Sequence, residues 1–198
     1  MIALSGCIGK TYHLLLADRL TKFLTANKLI DPTLQKAFLP GINGCIEHNI
    51  VMDEIIKDAK QRKKTCYVTF LDLEDAFGCV PHSLIDLTLE RNFIPPVIRK
   101  NFHNLYTHSS AAVQTSKWKS ETFKFKCGVF QGDPISPVIF LQVFNPILQK
   151  LQEISHKGYK LGDIFHVTAP YADDFCIIST HLTYHQKIID DINTQICS

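Results

Sequence analysis

Apolar positions along the chain divide it into alternating helical and extended stretches. Leu14, Leu15, Leu16, Leu20, Phe23 and Leu24 fall at helical spacing and predict an amphipathic helix ending near Asn27. Asp31-Pro32 opens a turn, and Leu39-Pro40-Gly41-Ile42-Asn43-Gly44 reads as a loop. Residues of about 45–60 return to helical spacing through Ile46, Ile50, Val51, Ile55 and Ile56. The run from Thr65 to Leu71 is short, β-branched and aromatic, and apolar at nearly every position, which suits a central buried strand ending at Asp72. Pro81-His82-Ser83 starts a helix to about Asn92, and a second follows Pro95-Pro96 to about Tyr106. Residues 110–115 and 121–127 read as a hairpin around Ser116–Ser120. After a loop at Gly128–Asp133, Pro134 begins a long apolar helix through Leu151. Strands are expected at 164–168 and 175–179, and a final amphipathic helix at about 183–197.

This order implies an α+β fold: a small, mostly antiparallel sheet with helices packed on one face. The chain's 198 residues are enough for a real core. A hydrophobic content of 45% and a charged content of 20% fit a globular protein. The longest apolar runs, Tyr67–Leu71 and Val138–Leu141, are too short to cross a bilayer, so no membrane partner is expected. The first residues lack a charged segment followed by an apolar stretch, and no signal peptide is read there.

A net charge of +2 does not by itself mark a nucleic-acid binder. Local basic runs occur at Lys57–Lys64 and, more loosely, at Lys117, Lys119, Lys124 and Lys126. The seven cysteines form no Cys-x-x-Cys pair, which points to free thiols in a reducing compartment.

The chemistry lies in carboxylates at strand ends. Asp72 follows one apolar strand, and Asp173-Asp174 sits between two others about a hundred residues later. A carboxylate in that position is costly unless solvated, paired or bound to a cation. Three together repel, and Mg²⁺, which prefers hard oxygen ligands, removes the repulsion. Nucleotidyl transfer uses this chemistry, with two metals about 4 Å apart at the attacking and leaving oxygens. Adjacent strand residues point to opposite faces, so Asp173 and Asp174 can share a site only on a turn. Alone, the pair is a weak signal and reads rather as a polar hairpin tip.

Three blocks add a family resemblance. Phe70-Leu71-Asp72-Leu73-Glu74-Asp75-Ala76-Phe77-Gly78-Cys79-Val80-Pro81-His82 resembles motif A of the reverse transcriptases. Gly128-Val129-Phe130-Gln131-Gly132-Asp133-Pro134-Ile135-Ser136-Pro137 resembles motif B, and Tyr171-Ala172-Asp173-Asp174 resembles motif C. Their wording is similar to that of non-LTR (LINE-type) retrotransposons. Leu16–Leu20 and Gln35–Gly41 look like the same family's fingers region.

The resemblance implies a polymerase palm at 65–198 and a partial fingers region at 1–64, with the thumb absent. It implies an RNA-directed DNA polymerase acting in retrotransposition on an RNA template, a DNA primer and dNTPs, as part of a retrotransposon polyprotein. Its cofactor would be two Mg²⁺ ions, with Mn²⁺ as an alternative. Asp72 and Asp173 would bind both ions, Asp174 would complete the acidic cluster, and the backbone carbonyl of Leu73 would be a further ligand. Phe77 would be the steric gate against a 2′-hydroxyl. Gln131 and Gly132 would line the nucleotide pocket, the glycine for close backbone approach. Asp133-Pro134 reads instead as a helix cap followed by a first-turn proline.

Two departures from the pattern stand out. Phe130 occupies a position where related elements often carry arginine, and the flanking fingers and thumb segments are not in the sequence. An inert remnant retaining a nucleic-acid-binding palm is therefore the alternative. An RNA-dependent RNA polymerase is disfavoured by Phe77 and Ala172, and a non-enzymatic hairpin protein is a distant further reading.

Overall fold

The computed structural model describes residues 5–197. Among the described residues the α-helices are α1 (Cys7–Ala26), α2 (Gly44–Gln61), α3 (His82–Arg91), α4 (Pro96–His108), α5 (Ser136–Glu153) and α6 (Leu182–Cys197). The strands among these residues are β1 (Tyr67–Leu71), β2 (Ser110–Ala111), β3 (Phe123–Lys124), β4 (Tyr159–Leu161), β5 (Ile164–His166), β6 (Thr168–Tyr171) and β7 (Asp174–Ser179). The fold is α+β, with each strand pairing antiparallel.

The chain forms two compact units. One comprises residues up to Ile30 together with Asp75–Val143, and the other comprises Asp31–Glu74 and Phe144–Ser198. In the first, α3 packs against α4, and Ile85, Leu89, Phe102 and Tyr106 are fully buried. The hairpin expected at 110–127 is present, with regular pairing only at β2–β3 and a bridge between Gln114 and Lys119.

The second unit holds the three-stranded sheet, in the order β1-β7-β6. Side chains alternate between faces along a strand, so the register shows what covers each face. Cys176 and Ile178 of β7 pack with Ile55 and Ala59 of α2. The alternate residues look the other way: Phe175 meets Phe144 of α5 edge-on at 5.4 Å, and Ser179 bonds His185 of α6 at 3.0 Å. Helices therefore cover both faces, whereas the sequence pattern suggested one. That explains why β7 is buried at five of its six positions, four of them apolar.

The same register corrects the reading of β1. It is an edge strand rather than a central one, and Phe70 is 78% exposed. An apolar run shows that a strand can be buried, but partner strands decide whether it is. The expected strand at 164–168 is also divided. Its first part, β5, pairs with β4 across Gly162-Asp163, and its last residue begins β6. Gly162 has φ +59, the left-handed conformation that a two-residue hairpin turn requires.

Candidate active site

The β1–β7 register ends at Leu71 opposite Phe175. Asp72 follows Leu71, and Asp174 begins β7. Carried one pair further, the register sets Asp72 opposite Asp174. Asp173 lies beside them in the turn between β6 and β7, closed by the pair Tyr171–Asp174. The three carboxylates that the sequence singled out thus occupy one rim of the sheet. Asp72 and Asp174 are exposed and Asp173 is half-buried. Among the described residues, no three His, Cys, Asp or Glu side chains are gathered into a metal-holding group. The donors nonetheless fit Mg²⁺ chemically, because Mg²⁺ binds through one or two carboxylates plus substrate phosphates rather than in a closed protein cage.

The turn has only two central residues, Ala172 and Asp173, so the chain must reverse sharply. Ala172 takes φ +58. A non-glycine residue there stores about 1–3 kcal/mol and persists only if neighbours hold it. Residues 35–48 supply that hold. Gln35 is 2% exposed, and its Oε1 accepts the N–H of Ala172 at 3.2 Å and that of Ala37 at 3.0 Å. His48 Nε2 lies 2.9 Å from the Pro170 carbonyl, which can only accept, so that nitrogen carries the proton. Burial pushes the His48 pKa below its ordinary value, keeping the ring neutral. The Cys45 thiol raises the pKa of the Tyr171 phenol above its ordinary value. Tyr171 itself is half-buried.

Gln35 is the residue that sequence reasoning missed in this role. Nothing local in the sequence says that it touches a turn 137 residues away.

In the other unit, the segments around Phe77 and Gln131 meet. The N–H of Val129 donates to the Phe77 carbonyl at 2.7 Å, and that of Gly128 donates to the Val80 carbonyl at 2.7 Å. Phe77 and Gln131 both line a cavity of about 170 Å³. Phe77 is half-buried and stacks on Phe140 at 4.6 Å with an 11° interplanar angle. Gln131 and Gly132 are exposed. Gly132 has φ +98, so glycine is needed there for backbone conformation. At Gly128 a Cβ would lie 2.6 Å from the Gly78 carbonyl oxygen.

Asp133 is buried and structural in its contacts. It accepts the Ile135 N–H at 3.1 Å, and its other oxygen lies 2.6 Å from His13 Nδ1. His82 reaches the Gly128 carbonyl at 3.1 Å and packs on Tyr106, helping to fix the same loop. Phe130 stands between Tyr106 and Phe125, at 5.3 Å and 4.8 Å, as part of an aromatic cluster.

Known proteins place this arrangement. The chain is 28% identical over 189 residues to the Pol polyprotein of retrotransposable element R2DM from Drosophila melanogaster, covering 96% of this chain and 17% of that protein. It is 30% identical over 178 residues to the R2 polyprotein of Nasonia vitripennis, covering 90% of this chain and 17% of that protein. The chain thus spans about a sixth of the length of these curated relatives. Apo telomerase from Candida tropicalis shares the fold at a TM-score of 0.62 and 14% identity, over 89% of this chain and 32% of that one. The family model described as reverse transcriptase (RNA-dependent DNA polymerase) matches residues 1–197, and the chain belongs to that family.

Proposed function

We propose that this chain carries the nucleotidyl-transfer centre of an RNA-directed DNA polymerase that extends a DNA primer on an RNA template. Residues 65–198 would serve as palm and residues 1–64 as part of the fingers, within a longer retrotransposon polyprotein. The observation that supports this most is the sheet register, which puts Asp72 beside the Tyr171–Asp174 turn.

Asp72 and Asp173 supply carboxylate oxygens for two divalent ions, Mg²⁺ or Mn²⁺. Asp174 adds negative charge at the same rim, and the Leu73 carbonyl is a further oxygen donor. When bound, such ions neutralise the triphosphate and activate the primer 3′-hydroxyl. The protein's contribution is placement. Asp72 and Asp174 stand at strand ends, and Asp173 in a turn anchored by Gln35, so little reorganisation is needed when substrate arrives. Phe77 presents its ring to the sugar of the incoming dNTP and discriminates against a 2′-hydroxyl. The ring stacks on Phe140, which limits its rotation. Gln131 and Gly132 contact the nucleotide.

Primer extension with dNTPs on an RNA template in Mg²⁺ tests the proposal. Asp173→Asn is expected to abolish extension while the protein still melts cooperatively. Extension that survives this substitution would refute the metal assignment.

A further inference from the structure

Beyond the far end of the sheet lies a cavity of about 580 Å³ that the catalytic reading does not use. Thr65 and Thr180 line it, past the Tyr67–Ser179 pair. The acidic rim begins at the Leu71–Phe175 pair, so roughly 13 Å of strand separates the two places.

Five of the lining residues carry or can carry positive charge: Lys64, Lys157, Lys160, His156 and His181. No aspartate or glutamate lines it. The nearby Asp58 is already engaged by the Tyr159 hydroxyl at 2.7 Å and Arg62 Nε at 2.6 Å. Among the described residues, none of the three lysines has a carboxylate oxygen within ion-pair distance, whereas Lys22, Lys36 and Lys57 all do, and only Lys64 feels the field of Asp58. Each of the three instead lies over an aromatic ring: Lys64 over Tyr159 at 5.8 Å, Lys157 over Tyr184 at 5.6 Å, and Lys160 over Phe165 at 5.6 Å. The lysines come from different elements, near the end of α2, in the turn before β4, and in β4.

Ring contacts orient an ammonium group without neutralising it. The site is therefore concave, cationic and partly aromatic, with Phe165 40% and Tyr184 48% exposed. A positive groove with aromatic side chains is the combination that holds single-stranded nucleic acid, through phosphate contacts and base stacking. We propose that this groove binds the backbone of a single-stranded polynucleotide, separately from the catalytic rim. Lys64, Lys157 and Lys160 contact phosphates, and Phe165 or Tyr184 receives a base. The proposal does not require the polymerase reading to be correct, because binding is measured without catalysis.

The test is fluorescence anisotropy of the full chain with a short labelled single-stranded RNA, and with the same sequence as DNA, across a salt series. Lys64→Ala/Lys157→Ala/Lys160→Ala is expected to weaken binding at least about tenfold. The slope of log K against log salt should flatten by about 2, which is three single-strand phosphate contacts at roughly 0.7 each. The charge-matched variant Lys22→Ala/Lys57→Ala/Lys100→Ala should change both quantities less. Photocrosslinking with a 4-thiouracil oligonucleotide should place adducts on Phe165 or Tyr184 of the unmodified protein, a readout that survives any folding defect in the variants. Equal loss in both triple variants, or crosslinks confined to other regions, overturns the proposal. So does loss of binding to phosphatidylserine vesicles with oligonucleotide binding unchanged, which would assign the groove to a lipid surface.

Discussion

Replacing Gln35 by methionine keeps the length and nearly the shape of the side chain while removing its oxygen. Two buried backbone donors, on Ala37 and Ala172, would lose their acceptor. Stranding a buried N–H costs about 1–3 kcal/mol, so two cost roughly 2–6 kcal/mol. Part of that returns, because Gln35 Nε2 has no partner of its own and methionine removes it. A net loss of about 2–4 kcal/mol follows, appearing as a lower urea midpoint at unchanged slope. The second consequence is local. Ala172 is held at φ +58 partly by this bond, and Asp173 is the next residue. Primer extension by the folded variant should therefore show a reduced kcat with a smaller change in the KM for dNTP, and a raised Mn²⁺ requirement. Mn²⁺ binding followed by water relaxation should weaken in parallel, which a purely global destabilisation would not produce below the melting transition. A stability loss under about 0.5 kcal/mol, or full activity and metal affinity in the folded variant, would refute the role assigned to Gln35.

Gly128→Ala places a Cβ 2.6 Å from the Gly78 carbonyl oxygen at a residue with φ +91, so it should cost about 3 kcal/mol or more in thermal or urea unfolding. Phe77→Val should raise ribonucleotide incorporation relative to dNTP incorporation in primer extension, and an unchanged ratio would remove Phe77 from the gate. Burial lowers the pKa of His48, His166 and His185 below the ordinary 6.5. The unfolded chain then binds more protons just below that value, so their contribution to stability is present above about 6.5 and is lost as pH falls through the folded values. Urea midpoints measured across that window should decline, and the decline should shrink in His185→Gln, whose ring is held by Thr69 and Ser179.

Much of the local structure was legible because it depends on local chemistry. Helices α2, α3, α4, α5 and α6 follow from apolar spacing and from punctuation such as Pro81, Pro95-Pro96 and Pro134. Asp133 read as a helix cap because its type and position suffice for that role, and it does accept the Ile135 N–H. The acidic residues were recognisable because three motif blocks occur in family order, and the family match extends along the chain. The Gly162-Asp163 turn is also legible, since glycine followed by aspartate between short apolar runs is a hairpin signal.

What the sequence left open depends on partners distant along the chain. β1 and β7 have similar apolar runs, yet one is an edge strand and the other central, because only β7 has a strand on each side. Covering the sheet on both faces requires α2 and α6, which lie far apart in sequence, and only their packing reveals it. The same holds at the acidic rim. Composition supplies Asp72, Asp173 and Asp174, but register brings the first beside the others. Gln35 then holds the strained turn because folding delivers a buried acceptor to a backbone donor that water can no longer reach.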